Sequence, residues 1–322
     1  MTEITITGLN SITYPTLHAW DWRVAVYLFL GGLTAGILVM SAVANLRKWP
    51  DSATGPQCEK GAMYAPFILA VGMFFIFLDL ERKTNVYWFY LTLQPAASMS
   101  WGAWGIMMIV PLSFLYALST APPELRHGLR FGFLIKLSEK LRPFHRKFAM
   151  LNFGLGIFLG IYTGVLLGSM MARPLWNSSL LPVLFLTSAL STGAAFLIII
   201  ARRTTVKLFY TKFDIWLIVS EIMVIILFFY GHSHSTANRM ASIMPFFTLN
   251  HDFFLYFVAI FLVSILLPLA LVIKLFEMRE DHADEIPDSA IFRMNLSAIM
   301  VLIGGFIIRL AFIYAGQLIK FS

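Results

Sequence analysis

At 322 residues, with 59% hydrophobic and only 13% charged side chains, the chain is too apolar for a soluble domain, which carries roughly 25% charged residues. The formal net charge of +7 raises the question of nucleic acid, but the basic residues sort by side of a membrane and form no aromatic-interleaved patch outside the loops. One cysteine, Cys58, excludes an internal disulfide and an iron–sulfur cluster held by this chain alone, which needs about four ligands.

The first twenty residues lack a basic start followed by an apolar core. No cleaved signal peptide is therefore expected, and the first apolar block reads as an uncleaved anchor. Apolar runs of eighteen or more residues, long enough to cross a hydrocarbon core of about 30 Å, predict an all-α integral membrane fold of about eight transmembrane helices in antiparallel bundles. In chain order they lie near 22–46, 62–80, 99–119, 148–171, 180–201, 213–230, 253–275 and 290–315. No linker separates a soluble domain, so residues 1–322 read as one membrane domain.

Orientation follows from Lys and Arg. The loops after the first, third, fifth and seventh helices, with their flanks, hold Arg47, Lys48 and Lys60, then Arg126, Arg130, Lys136, Lys140, Arg142, Arg146 and Lys147. They continue with Arg202, Arg203, Lys207 and Lys212, and end with Lys274, Arg279 and Arg293. These are seventeen of the 24 basic residues, while Arg23, Arg82, Lys83, Arg173, Arg239 and Lys320 lie on the other side. The bias puts the odd-numbered loops in the cytoplasm and both termini outside, in the periplasm of a bacterial inner membrane. The basic stretch Gly128–Lys147, interleaved with Phe131, Phe133, Leu134 and Leu137, reads either as an interfacial helix on anionic headgroups or as a solvated loop.

Ionisable residues at membrane depth are costly and mark function or pairing. Glu221 falls near the middle of the sixth helix, Arg309 in the outer half of the eighth, and Asp79 at the outer end of the second. They read as a structural ion pair, with Arg309 neutralised by Glu221 or Asp79, or as the polar wall of a site that moves protons. Gly156, Gly160, Gly164 and Gly168 recur at four-residue spacing along one face of the fourth helix, with Gly32 and Gly36 echoing them in the first. That pattern favours close helix packing over a ligand slot. Tyr162 lies roughly opposite this row by helical angle.

All seven histidines fall in loops or at helix ends, whereas a membrane haem needs axial ligands at depth. His232 and His234 lack further ligands for a metal site, so no metal is expected. Redox work by this chain would then need a diffusible membrane quinone. Trp88, Trp101, Trp104, Trp176 and Trp216 lie near predicted interfaces and read first as anchors.

Several segments resemble, in order, the polysulfide reductase membrane subunit (NrfD-like) family. Trp22-Arg-Val-Ala-Val-Tyr-Leu-Phe-Leu-Gly-Gly-Leu-Thr-Ala-Gly36 is similar to its first helix, and Phe77-Leu-Asp-Leu80 to the end of its second. Gln94-Pro95 through Ser100-Trp-Gly-Ala-Trp-Gly105 resembles the start of the third. Tyr162-Thr-Gly164 with Ala172-Arg-Pro-Leu-Trp-Asn177 resembles the fourth and its outer loop, and Ile308-Arg309 with Ala315-Gly-Gln317 the last.

The resemblance implies an anchor without haem or cluster of its own, binding menaquinone or ubiquinone near the outer face. It also implies a four-cluster ferredoxin-like iron–sulfur subunit and a molybdopterin catalytic subunit as partners, alongside membrane lipids. By position, Tyr162 matches a tyrosine that approaches the quinone headgroup. Tyr27 stands where polysulfide reductase has a histidine, and a phenol with pKa near 10 exchanges protons less readily than imidazole. Either Asp79 or an outer histidine would then take the proton role, or the site sits differently here. Candidate residues for protons or a polar site are thus Asp79, Glu221 and Arg309. Those for quinone or partner docking are Tyr27, Tyr162, Arg82, Trp101 and Arg173. Buried charges and glycine rows also fit a secondary transporter, although no half-to-half repeat is visible, or an anchor that never touches quinone.

Overall fold

The computed structural model describes residues 20–47, 60–80, 82–120, 132–249, 252–276 and 286–318. Cys58, His18, His127, His251, His282 and the basic residues Lys48, Arg126, Arg130, Arg279 and Lys320 lie outside them. Among the described residues every regular element is helical, and eight helices are long and apolar enough to cross a membrane. The spans are α1 (Trp22–Leu46), α2 (Lys60–Asp79), α4 (Ser98–Thr120), α6 (His145–Gly168), α7 (Leu180–Ile200), α8 (Thr204–Ser233), α10 (Phe253–Leu275) and α11 (Asp288–Leu318). Shorter helices α3 (Tyr87–Leu91), α5 (Gly132–Leu141) and α9 (Ala237–Phe247) fold within the connections.

The helix α1 is the axis of the molecule: it packs against α2, α6, α7 and α11, and most of its residues are buried. Around it α2, α4 and α6 form one group, and α7, α8, α10 and α11 the other. Where α1 meets α7 both helices present glycine, and a Cβ on Gly36 would fall 1.9 Å from the Ala189 carbonyl oxygen. An even number of crossings returns the polypeptide to its starting side. The amide of Trp20 donates to Oε1 of Gln317 at 3.2 Å, and Nε2 of Gln317 returns a bond to the Trp20 carbonyl at 2.8 Å.

Two stretches differ from the expected polar breaks. Residues 204–212 are the first turns of α8 rather than a loop, because Val206, Leu208, Phe209 and Tyr210 are buried there and turn the segment inward. Of the two readings for the basic stretch before α6, its described part is the helix α5, joined to α6 through the 3₁₀ turn Arg142–Phe144. Ser138 of α5 is buried and donates to the Leu118 carbonyl of α4 at 2.7 Å. The helix α10 carries a π-helical stretch, Ile260–Leu266, at the place where Gly304 of α11 leaves no room for a Cβ beside Ser264.

Candidate functional site

At the end of the bundle where α1 begins and α2 ends, helices α1, α2, α3, α4 and α6 enclose a cavity of about 460 Å³. Its wall is mostly apolar, with Val24, Met73, Phe74, Ile106 and Leu166, and its polar groups are few. Tyr27, Asp79, Tyr90 and Tyr162 all line it. Three residues named from sequence are therefore brought together: Tyr27 from α1, Asp79 from the last position of α2, and Tyr162 from α6.

Local packing fixes each of them. Tyr162 stacks on Phe158 one turn earlier, ring centroids 6.1 Å apart. It reaches across to α4 because Gly102 has no side chain: a Cβ there would lie 2.0 Å from the phenol oxygen. Tyr27 is 7% exposed and Tyr162 5%, so both cavity-lining tyrosines are buried in the protein rather than turned to lipid. Asp79 finds its cation in Arg23, whose Nη1 stands 4.0 Å from Oδ1. Arg23 is held in turn by Asp21, 3.0 Å from its Nε, and by the Leu78 carbonyl, to which Nη1 donates at 3.2 Å. Asp21 also caps α1 by accepting from the Arg23 amide at 2.8 Å.

Tyr90 is not among the residues expected from sequence, since it lies in a connection that reads as a polar break. Packing of the half-exposed α3 places it in the wall, and burial pushes its phenol above the ordinary tyrosine value. The short aromatic run Tyr87–Leu91 between two spans is the sequence signal that could have found it.

Arg309 and Glu221 lie elsewhere. Arg309 is fully buried between α1, α7 and α11. Its Nη1 donates to Gly305 O at 2.7 Å and to Ser188 Oγ at 3.1 Å, and Phe29 and Phe185 each stand 5.7 Å from its carbon Cζ. Glu221 is buried close to the same Ser188. The expected ion pair between Arg309 and Glu221 does not close, because Nε and Nη2 of Arg309 and Oε1 of Glu221 find no protein partner. Asp79, paired with Arg23, is not the counterion of Arg309.

Arg82, Trp101 and Arg173 surround the same end of the bundle but do not line the cavity. Arg82 is exposed. Trp101 is 53% exposed and donates its Nε1 proton to the Pro95 carbonyl at 2.6 Å. Arg173 donates from Nη1 to the Gln317 carbonyl at 2.7 Å, and burial lowers its guanidinium from the usual arginine value. The glycine row of α6 serves packing: Gly156 meets α1, Gly160 and Gly164 meet α7, while Tyr162 points away toward α4. His232 and His234 do not converge. His232 is buried against Phe228 and bonds its carbonyl, and His234 is exposed beside Ser233.

Known proteins resemble this chain along most of its length. Residues 10–320 match the family model described as "Polysulphide reductase, NrfD". A polysulfide reductase polypeptide of Wolinella succinogenes is 29% identical over 185 residues, a match covering 57% of this chain and 58% of that one. The NrfD homolog of Haemophilus influenzae is 25% identical over 93% of this chain and 94% of its own. A selenate reductase subunit of Mesobacillus selenatarsenatis is 22% identical over 59% of this chain and 50% of its own. With nearly its whole length matched and its eight apolar spans in place, the chain is a multi-pass membrane protein that belongs to the polysulfide reductase NrfD family.

Proposed function

We propose that this chain is the quinone-reactive membrane subunit of a respiratory oxidoreductase complex. It binds the headgroup of menaquinone or ubiquinone in the cavity between α1, α2, α4 and α6. It exchanges electrons there with a docked, four-cluster ferredoxin-like iron–sulfur subunit, which serves a molybdopterin catalytic subunit. The observation that carries the reading is the convergence of Tyr27, Tyr162 and Asp79 on one apolar cavity. Its volume falls within the roughly 300–1,000 Å³ usual for small-molecule sites. The names of the relatives, subunits of polysulfide and selenate reductases, support the placement in a complex. The Lys and Arg bias supports a periplasmic position for the cavity end and both termini, in the inner membrane of a bacterium.

A bound quinone supplies a carrier of two electrons and two protons. The residues present fit such a headgroup. Tyr27 and Tyr162 would hold it through hydrogen bonds from their phenols, with Tyr90, Phe74 and Ile106 as further wall. Asp79 holds or releases the proton, and Arg23 beside it stabilises the carboxylate left behind. A carboxylate is needed because the two phenols hydrogen-bond well but ionise reluctantly at neutral pH.

The test is binding of a fluorescent quinone analogue to the purified chain. Tyr162→Phe and Asp79→Asn each weaken binding about tenfold, near 1.4 kcal/mol, with the helical spectrum kept. Unchanged affinity in both variants sinks the quinone reading. Co-purification of a cluster-bearing subunit without any analogue binding marks the chain as a structural anchor.

A further inference from the structure

Ser100 and Trp101 stand beside the cavity without lining it, although their neighbours Met99 and Gly102 do. Both belong to the first turn of α4. A side chain that caps a helix bonds amides within that first turn. Ser100, 7% exposed, instead reaches back along the chain. Its Oγ accepts from the Gln94 amide at 3.0 Å and donates to the Thr92 carbonyl at 3.3 Å, six and eight residues earlier. Trp101 does the same through Nε1, which donates to the Pro95 carbonyl at 2.6 Å. Anchoring at the membrane surface accounts for an exposed indole, but not for a proton held on a loop carbonyl. The backbone adds a turn, with the Ala97 amide on the Gln94 carbonyl and the Ser100 amide on the Ala97 carbonyl, each at 3.0 Å. The residues held in this way, Thr92 to Pro95, are the exit of α3.

The helix α3 has little of its own to fix it. Its five residues are far fewer than the roughly 12–15 at which an isolated helix is even marginal, and α4 is the span against which it chiefly packs. Its aim nevertheless shapes the site. Val86 and Tyr90, four residues apart and so on one face, line the cavity, while Tyr87, Trp88 and Leu91 are 50%, 56% and 71% exposed. Thr92 follows Tyr90 by two residues, and its amide bonds the Trp88 carbonyl at 3.0 Å. A hold on the Thr92 carbonyl is therefore a hold on the last turn of α3, and with it on Tyr90. The same turn of α4 is itself tied down, because Ser98 meets Ser169, just past α6, Oγ to Oγ at 2.9 Å. Gly102 follows at once and admits the Tyr162 ring. The run Ser98–Gly102 thus places two phenols, one by strapping its backbone and one by leaving room for its ring.

We propose that Ser100 and Trp101 are positioning residues of the cavity: they strap α3 to the start of α4 and so keep Tyr90 in the wall, against the bound ring. Neither residue touches the ligand; both act through Tyr90. With the strap undone, the Gln94 amide and the Thr92 and Pro95 carbonyls turn to water. The apolar outer face of α3 then settles its own position at the membrane surface, and Tyr90 leaves the wall with it. What the wall holds rests on the quinone reading; the placing of Tyr90 by Ser100 and Trp101 does not.

Two measurements keep those claims apart. In binding of a fluorescent quinone analogue to the purified chain, Ser100→Ala and Trp101→Phe each weaken affinity roughly fivefold, the worth of about one hydrogen bond. Ser100→Thr, which keeps the hydroxyl, restores it. Tyr90→Ala weakens binding at least as much, and adding Ser100→Ala or Trp101→Phe to it changes nothing further, because residues that act through one group are not additive. Equal losses with and without Tyr90, or wild-type affinity in both single variants, overturn the proposal. The second measurement needs no ligand. Tyrosinate absorbance across alkaline pH, taken as the difference between each protein and its Tyr90→Phe counterpart, follows the Tyr90 phenol alone. Tyr27, Tyr162 and Asp79 line the same cavity and are common to both members of each pair. Tyr90 ionises above the ordinary value in the wild type, and falls back toward about pH 10 in Ser100→Ala and Trp101→Phe. A midpoint that does not move overturns the positioning whatever the cavity binds. A wild type that binds no analogue overturns the quinone reading instead, and the titration alone then decides the strap.

Discussion

Gly32 and Arg309 share one space: a Cβ on Gly32 would sit 2.6 Å from the guanidinium Nη2. The guanidinium has little freedom to retreat, since Phe29 and Phe185 flank it and Nη1 is tied to Gly305 O. Gly32→Ala therefore overpacks the site and costs about 1–3 kcal/mol, read as a lower unfolding midpoint in detergent. Gly31→Ala is the control, because a Cβ there meets nothing within 4 Å. It leaves stability unchanged or slightly raised, as expected when glycine leaves a helix interior. Equal effects of the two substitutions would mean that Arg309 does not point at α1.

The contact between Gly102 and Tyr162 makes a sharper demand. A Cβ at position 102 would lie 2.0 Å from the phenol oxygen, 2.1 Å from Cζ and 2.6 Å from Cε1. The whole ring edge is in the way, so Tyr162→Phe cannot relieve the clash in Gly102→Ala. Tyr162→Ala can. The expected order of unfolding midpoints has Gly102→Ala and Gly102→Ala/Tyr162→Phe both low, with Gly102→Ala/Tyr162→Ala above them. Recovery by the phenylalanine variant would show that only the hydroxyl approaches α4.

The helical spans are legible in the sequence because a bilayer imposes a length that few soluble helices share, and seven of the eight expected ranges begin and end within about a turn of the observed ones. The start of α8 escapes such a reading for a physical reason. Lys207, Lys212 and Asp214 give its first turns the polarity of a loop, yet Lys207 and Asp214 point inward at heptad spacing, which a search for apolar runs cannot see. The cavity is legible only in part. Resemblance and membrane depth find Tyr27, Tyr162 and Asp79, but they do not match Arg23 to Asp79, since the pair exists only once the start of α1 meets the end of α2. Depth alone groups Arg309 with Asp79, and the structure separates them by the body of α1.

Tyr90 makes the cavity wall sensitive to alkali. Burial raises its phenol above the ordinary value, so the folded state disfavours its ionised form. The sign follows from linkage: the stabilising neutral phenol is fully present below the unfolded value near pH 10, and is lost as pH rises through the higher folded value. The wild type therefore loses stability at strongly alkaline pH, and Tyr90→Phe removes part of that loss while changing little at pH 7. Unfolding midpoints across the alkaline range, with tyrosinate absorbance recorded alongside, check it. Identical alkaline slopes for the two proteins would place Tyr90 in free solvent.

Helices α1 and α7 approach each other backbone to backbone. A Cβ on Gly193 would lie 2.2 Å from the Gly36 carbonyl carbon, and one on Gly36 would lie 2.8 Å from the Gly193 Cα. No rotamer change relieves such a contact; the helices themselves must part. Because α1 packs against four other spans, parting it from α7 also disturbs α6 and α11, and the cavity wall moves with them. Gly36→Ala and Gly193→Ala each cost about 3 kcal/mol or more, at or above the upper end of ordinary overpacking, and sharply reduce the amount of folded protein recovered from membranes. Gly154→Ala on α6, where a Cβ meets nothing within 4 Å, leaves yield and midpoint unchanged. Normal yields for both α1–α7 variants would show that the two helices are not in backbone contact.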